Sequence, residues 1–207
     1  MKYKLIIFDF DGTLADSFEF FLDRINSVAI KHRFKTLSDE DKTYVKNKSA
    51  RELIKFLKIP FWKIPRVAKS MKGILTSNLN AVKKFDMIPF VLDELHQKGI
   101  QLALLTSNDL ENVKHILGPQ FDYFGKSTFS VSILGKHRKF KQLIKSYQLR
   151  PEDVLLVGDE VRDIEAAKRI GIDIASVSWG YNSRKILSAQ NPTYLLDTPS
   201  QILELLD

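Results

Sequence analysis

Apolar and polar positions follow two different rhythms along this chain. Leu5 to Phe8 form an unbroken apolar run, the pattern of a strand buried on both faces of a parallel sheet. Phe18, Phe21, Leu22, Ile25, Val28 and Ala29 then recur at helical spacing. Leu37-Ser38 opens a short charged helix. Ser49-Ala50-Arg51-Glu52 has the form of a capping box, with Leu53, Ile54, Phe56 and Leu57 behind it. Pro60 and Pro65 bracket a break containing Phe61 and Trp62, and a further helix is predicted from about Arg66 to Leu79. No strand pattern occurs between about Ser17 and Val82, so this stretch reads as a helical insertion.

From about Ile88 helix and strand alternate. Pro89 to Lys98 reads as a helix closed by Gly99, and Gln101 to Leu105 as a buried strand ending in Thr106-Ser107-Asn108. Asp109 is expected to cap a helix to Leu117. A strand is expected over Thr128 to Ile133, a helix over Lys136 to Tyr147, and a strong strand over Asp153 to Val157, ending in Gly158-Asp159. Glu160 to Ile170 is a helix stopped by Gly171. Asp173 to Ser178 and Thr193 to Leu196 are strands, and Pro199 opens the last helix. This alternation predicts an α/β fold, a parallel sheet with helices on both faces. The expected division is a core of residues 1–16 and 83–207 with a helical insertion at 17–82.

Three strands end in polar groups: Asp9 and Asp11, then Thr106-Ser107-Asn108, then Asp159 and Asp163. Strand ends of one sense share one edge of a parallel sheet, where open α/β folds bind ligands. Asp9 and Asp11, two apart, can face one side of an extended segment, and such close like charges need a cation or a shared proton. Gly12 lets the backbone turn after them. Asp16 and Ser17 read as caps of the next helix. Three or four carboxylates at one edge suit a hard cation, and Mg²⁺ fits, with waters and a substrate phosphate completing its shell. Asp163 alone is equally a helix-start carboxylate.

Composition narrows the classes. Hydrophobic residues make up 44% and charged residues 28% of 207, an ordinary globular balance. The chain has no Cys, which removes disulfides, thiol nucleophiles and thiolate metal sites. Four unpaired His make a zinc site a poor fit. No apolar run is long enough to span a bilayer, and the amino terminus reads as a core strand rather than a signal peptide. A cytoplasmic protein without membrane association, monomeric or homodimeric, is expected. The net charge of +7 raises the question of an anionic partner. The basic residues are scattered, and the densest run, Lys136 to Lys141, suits a solvated helix face. No nucleic-acid partner is expected, and a small phosphorylated substrate accounts for the charge equally well.

Taken in order, these motifs resemble those of the haloacid-dehalogenase-like hydrolase superfamily over nearly the whole chain. Asp9 to Leu14 match its DxDGT motif, Leu102 to Thr106 its strand ending in Thr or Ser, and Gly158 to Asp163 its GDxxxD motif. The helical insertion resembles the family's α-helical cap on a Rossmann-like core. Trp179-Gly180-Tyr181-Asn182 resembles a loop frequent in the phosphoglycolate-phosphatase-like branch. The resemblance implies a Mg²⁺-dependent phosphatase. Asp9 would be the nucleophile that forms an aspartyl-phosphate, and Asp11 the acid and then the base. Mg²⁺ would be held by Asp9, the Asp11 carbonyl and Asp159, with Asp163 in the outer shell. Thr106 and the Ser107 amide would hold phosphoryl oxygens, with Asn108 and Gly12 placed in the same substrate-binding set.

The family's third motif is a phosphoryl-binding Lys, and here no Lys-Pro-x-Pro is present. Lys136, in Gly135-Lys136, is the choice, with Lys139 and Lys141 as competitors. A second departure is Phe85-Asp86-Met87-Ile88-Pro89, which lacks the Pro-Gly often found there. Arg51 is the candidate for gripping an anionic substrate tail, against an equal reading as an exposed helix-start residue. Phe61 and Trp62 are read as insertion core ahead of pocket lining. Rival functions are a dehalogenase, which would lack the second aspartate, a phosphomutase sharing these residues, and a non-catalytic phosphate-binding protein on the same fold.

Overall fold

Alternate residues of the first strand, β1 (Leu5–Phe8), feed two different cores. Leu5 and Ile7 join Ala103, Leu156, Phe140 and Ile164 on one side; Ile6 and Phe8 join Leu104, Val157, Leu95 and Val113 on the other. That is the two-residue period of a strand covered on both faces. The computed structural model describes residues 2–131 and 136–206, apart from the Thr43 side chain.

The main sheet has five strands. β1 is flanked by β4 (Gln101–Leu104) and β5 (Val154–Gly158), and β6 (Asp173–Val177) and β7 (Tyr194–Leu196) follow in the order β4-β1-β5-β6-β7, all pairs parallel. Helices α5 (Ile88–Gln97) and α6 (Leu110–Leu117), with a final 3₁₀ helix at Pro199–Leu206, bury apolar residues on one face. α7 (Lys136–Tyr147), α8 (Val161–Ile170) and α9 (Arg184–Ser188) cover the other. The chain builds outward from β1 in one direction to β4 and in the other to β5. The β1/β5 boundary is therefore the switch point of the sheet, where such folds open a crevice at the strand carboxyl ends.

The chain leaves and re-enters this sheet through a small antiparallel ribbon, β2 (Ala15–Asp16) paired with β3 (Lys83–Lys84). Between them lie α1 (Phe18–His32), α2 (Asp39–Val45), α3 (Ala50–Phe56) and α4 (Ile64–Thr76). Phe18, Leu37, Val45 and Leu57 form a small core of their own in this segment, and Tyr181 packs against it from the far side of the sequence. Phe20 and Leu75 instead join the sheet's core. No helix among the described residues is long and apolar enough to cross a membrane.

Several local expectations are corrected. The segment after Thr128 is no strand over residues 128–131. Thr128 makes one isolated bridge to Leu105, and Ser130 turns into the left-handed region at φ 53°, which breaks the regular register, so that the next bond comes from the Val131 amide to the Thr106 carbonyl; residues 132–133 lie outside the described residues. Phe61 and Trp62 are not core: they sit on a short 3₁₀ helix at 69% and 74% exposure, because the flanking prolines hold that turn off the helical layer. Ser17 and Asp109 occupy helix-cap positions, yet neither side chain caps its helix. Both are engaged by partners from elsewhere in the fold. Ser38 and Ser49 do cap, each in a complete capping box with Asp41 and Glu52.

Candidate active site

β1 and β5 end side by side, and Asp9 and Asp159 follow them directly. Asp163 enters from the first turn of α8. That helix starts at Val161, with Glu160 as its cap residue. Strand end and helix start together bring one carboxylate oxygen each from Asp9, Asp159 and Asp163 within 4.8 Å of one another, all three residues buried. Oxygens bound to one Mg²⁺ at about 2.1 Å lie at most about 4.2 Å apart, so this trio fits such an ion after a small contraction. Burial first, then the neighbouring carboxylates, pushes Asp159 well above the usual carboxylate range. Burial likewise raises Asp163, against the pull of Lys136. A divalent cation would relieve this crowding of like charge.

Lys136, the first residue of α7, is buried and bridges two of the three acids. Its Nζ donates to Asp9 Oδ2 and to Asp163 Oδ1, each at 2.7 Å. Burial would lower this ammonium, but Asp163 and Asp9 outweigh it and hold it charged. Lys139 and Lys141 are exposed on the same helix. The geometry thus brings Lys136 to the carboxylates and leaves its competitors in solvent. Gly135 lies outside the described residues.

Asp11 stands on a loop of hydrogen bonds. Ser17 Oγ donates to its Oδ1 at 3.1 Å, and Asn108 Nδ2 lies 3.2 Å from both oxygens. Burial, followed by the Asp9 charge, raises the Asp11 carboxyl to about 6. Asn108 is buried and fully used: its Oδ1 accepts from the Asp109 amide and from Asn112. Thr106, at the end of β4, is buried, and its Oγ1 accepts the Asn108 amide at 2.9 Å. Ser107 lies half-buried beside it.

Gly12, at φ 79°, is the point of closest approach. A Cβ there would come within 2.2 Å of Asp159 Oδ2 and 2.3 Å of the Tyr181 ring. The next residue, Thr13, donates to Asp159 Oδ1 at 2.8 Å, and the Tyr181 amide donates to Asp159 Oδ2 at 2.7 Å. Arg51 is exposed at the start of α3 and makes no ion pair among the described contacts.

Sequence reasoning missed two groups. Glu160 and Arg162, both in the GDxxxD segment, form an ion pair at the rim of the acid trio. The signal was their place between Asp159 and Asp163, which binds them to the site whatever their rotamers. The second group is a bridge from the loop after β6. Tyr181 shares a hydrogen bond with Ser17 at 3.1 Å and packs edge-on against Phe18. Ser17 gives its proton to Asp11, so the Tyr181 hydroxyl is the donor to Ser17. Asn182 accepts from the Val161 amide and donates to the Lys48 carbonyl, tying the start of α8 to the segment between α2 and α3. The Trp179-to-Asn182 motif signalled this loop, but nothing in the sequence revealed its partners.

Comparison with known proteins agrees with this arrangement. Residues 6–177 match the haloacid dehalogenase-like hydrolase family. A phosphoglycolate phosphatase of Synechococcus elongatus is 33% identical over 206 residues, covering 97% of this chain and 96% of that protein. A pyrophosphatase PpaX of Anoxybacillus flavithermus is 25% identical over 223 residues, covering 100% and 98%. Among solved structures, a haloacid dehalogenase-like family hydrolase of Streptococcus pneumoniae superposes with a TM-score of 0.80 at 18% identity, covering 100% of this chain and 99% of that one. The paired aspartates after β1, the acids after β5 and the family match over most of the chain lead to one assignment: this protein belongs to the haloacid dehalogenase-like hydrolase family, in its phosphoglycolate-phosphatase-like branch, and is a phosphatase.

Proposed function

We propose that this phosphoric monoester hydrolase is Mg²⁺-dependent and cleaves a small phosphorylated metabolite through an aspartyl-phosphate on Asp9. The observation that carries the reading is the convergence of Asp9, Asp159 and Asp163 with the buried ammonium of Lys136. Asp9, Asp159 and Asp163 would hold the cation, with the Asp11 carbonyl as a further ligand. When bound, the cation neutralises charge on the transferring phosphoryl group.

Asp9 attacks phosphorus. The bond to the leaving oxygen breaks, and Asp11 supplies that oxygen's proton. A carboxyl raised to about 6 can carry a proton near neutral pH, as this role requires. Water then attacks the acyl phosphate while Asp11 takes the water's proton, which releases inorganic phosphate and restores Asp9. Lys136, Thr106 and the Ser107 amide hold the phosphoryl oxygens. Phosphoryl transfer asks mainly for this positioning and charge stabilisation. The helical segment 17–82 acts as a cap hinged on the β2–β3 ribbon, closing over the substrate to exclude water.

The relatives' names point to phosphoglycolate first and pyrophosphate second as substrates, and sugar phosphates are the further class we propose to test. The test is phosphate release from a panel containing these compounds, with Mg²⁺ and with chelator. Release confined to small phosphate esters and stopped by chelator is expected. Equal release with chelator overturns the metal role, and preference for pyrophosphate overturns the monoester assignment.

A further inference from the structure

Lys136 makes two short ion pairs, with Asp9 and Asp163, and these occupy two of its three N–H donors. A dianionic phosphoryl group arriving at Asp9 meets five carboxylates: Asp9, Asp11, Asp159, Glu160 and Asp163. The other cation at this point is Arg162, whose Nη2 lies 4.0 Å from Asp9 Oδ2, the oxygen that Lys136 also contacts. Its remaining contact is the ion pair with Glu160. Arg162 Nε is buried and has no hydrogen-bond partner among the described residues. An orphaned buried N–H on a cation is costly, and such groups in native sites commonly serve a ligand.

Distance supports the same point. A phosphorus poised for attack sits roughly 3–3.5 Å from the attacking oxygen. Its non-bridging oxygens lie one bond further out, within reach of a guanidinium 4.0 Å from Asp9. A guanidinium presents fixed forked donors that match phosphate oxygens, and it stays charged while buried. Glu160 holds one arm of the fork and leaves Nε free.

We propose that Arg162 is a second phosphoryl-binding cation of this site, oriented by Glu160, and that it contacts both the substrate's phosphoryl group and the inorganic phosphate product. This rests on the phosphatase reading. The competing role for Arg162 is simple neutralisation of Glu160, and the two make different predictions when both residues are removed together.

The experiment is calorimetric binding of inorganic phosphate to the full chain with Mg²⁺. It compares wild type, Arg162→Gln, Arg162→Lys and the double variant Glu160→Gln/Arg162→Gln. Arg162→Gln should weaken phosphate binding roughly ten- to a hundredfold, the range for a lost charge-assisted hydrogen bond. Arg162→Lys should recover part of that, since it keeps charge but not the fork. The double variant leaves no unpaired charge behind, so it remains folded if the single variant does not. Its phosphate affinity should stay as weak as that of Arg162→Gln. Return of the double variant to wild-type affinity shows that Arg162 serves only Glu160 and overturns the proposal. A wild-type protein that neither binds phosphate nor releases it from any ester overturns the phosphatase reading itself, a distinct result.

Discussion

Asp11 depends on two hydroxyl and amide donors, Ser17 and Asn108, that lie on opposite sides of the helical insertion in sequence. Ser17 looks like a helix cap, and its position is one, but the hydroxyl satisfies Asp11 instead. A buried carboxylate offers a stronger, charge-assisted hydrogen bond than the helix amides do. The same outcome holds for Asp109, whose carboxylate binds Lys72 at 2.8 Å and Ser130 at 2.5 Å in place of capping α6. Local cap signals are therefore legible in sequence, while the choice between a cap and a distant partner is not. Gly12 is the sharpest residue-scale test. Gly12→Ala places a methyl against Asp159 and Tyr181 and forces a left-handed φ on alanine. A loss of roughly 2–4 kcal/mol of stability is expected from overpacking and strain together. A fall in turnover of about a hundredfold is expected from displacing Asp159, which is proposed to hold the cation. Thermal unfolding and phosphate release would show both. An alanine variant with unchanged melting and rate contradicts the packing described.

At the scale of elements, the strongly periodic strands and helices were readable because burial on both faces leaves unbroken apolar runs. The segments that misled were those governed by tertiary partners. Residues 128–131 run beside β4 without continuing its ladder, and Phe61-Trp62 stay exposed despite their apolar character. Met87 takes the left-handed position at the start of α5, φ 67°, in the segment that lacks a glycine. One contact between elements carries a pH signature. Lys72 on α4 pairs with Asp109 ahead of α6 and so ties the helical segment to the sheet. Burial alone would raise the Asp109 carboxyl, but Lys72 and the Ser130 hydroxyl outweigh it and hold it below 3.8. A lowered folded-state value means that the carboxylate stabilises the fold above the unfolded pKa, and that this is lost as pH falls through the folded one. Asp109→Asn should therefore cost roughly 0.5 kcal/mol near neutrality, a small value because the pair is partly exposed to solvent. The difference should fade as pH falls below the ordinary carboxylate range and through the lowered folded-state value. Denaturant unfolding against pH checks this, and a constant difference down to the lowest pH contradicts the assigned ion pair.

Across the whole molecule, the parallel sheet gathers residues from four distant places in the chain to one edge. Asp9 and Asp11 follow β1, Thr106 to Asn108 follow β4, Lys136 opens α7, and Asp159 and Asp163 follow β5. The strand ends alone made most of this set legible before any coordinates, since strands of one sense deliver their exits to one edge. Lys136 stood apart from its neighbours once burial was known: it opens α7 and is buried against the acids, whereas Lys139, further along the helix, and Lys141, rotated to another face, are exposed. The partners of the Tyr181-Asn182 bridge were not legible, since they depend on how the loop after β6 turns over the site; Glu160 and Arg162 were marked by their place between Asp159 and Asp163, but their pairing was not. The bridge reaches the Lys48 carbonyl and the Ser17 hydroxyl, so the loop whose Tyr181 amide binds Asp159 also touches the proposed cap. Every proposed step depends on Asp9 as the nucleophile. The most direct test compares phosphate release by wild type and Asp9→Asn, both shown to be folded, on the best substrate of the panel with Mg²⁺ present. Loss of turnover in Asp9→Asn to the uncatalysed background is expected. Hydrolysis by that variant at the wild-type rate would contradict the claim.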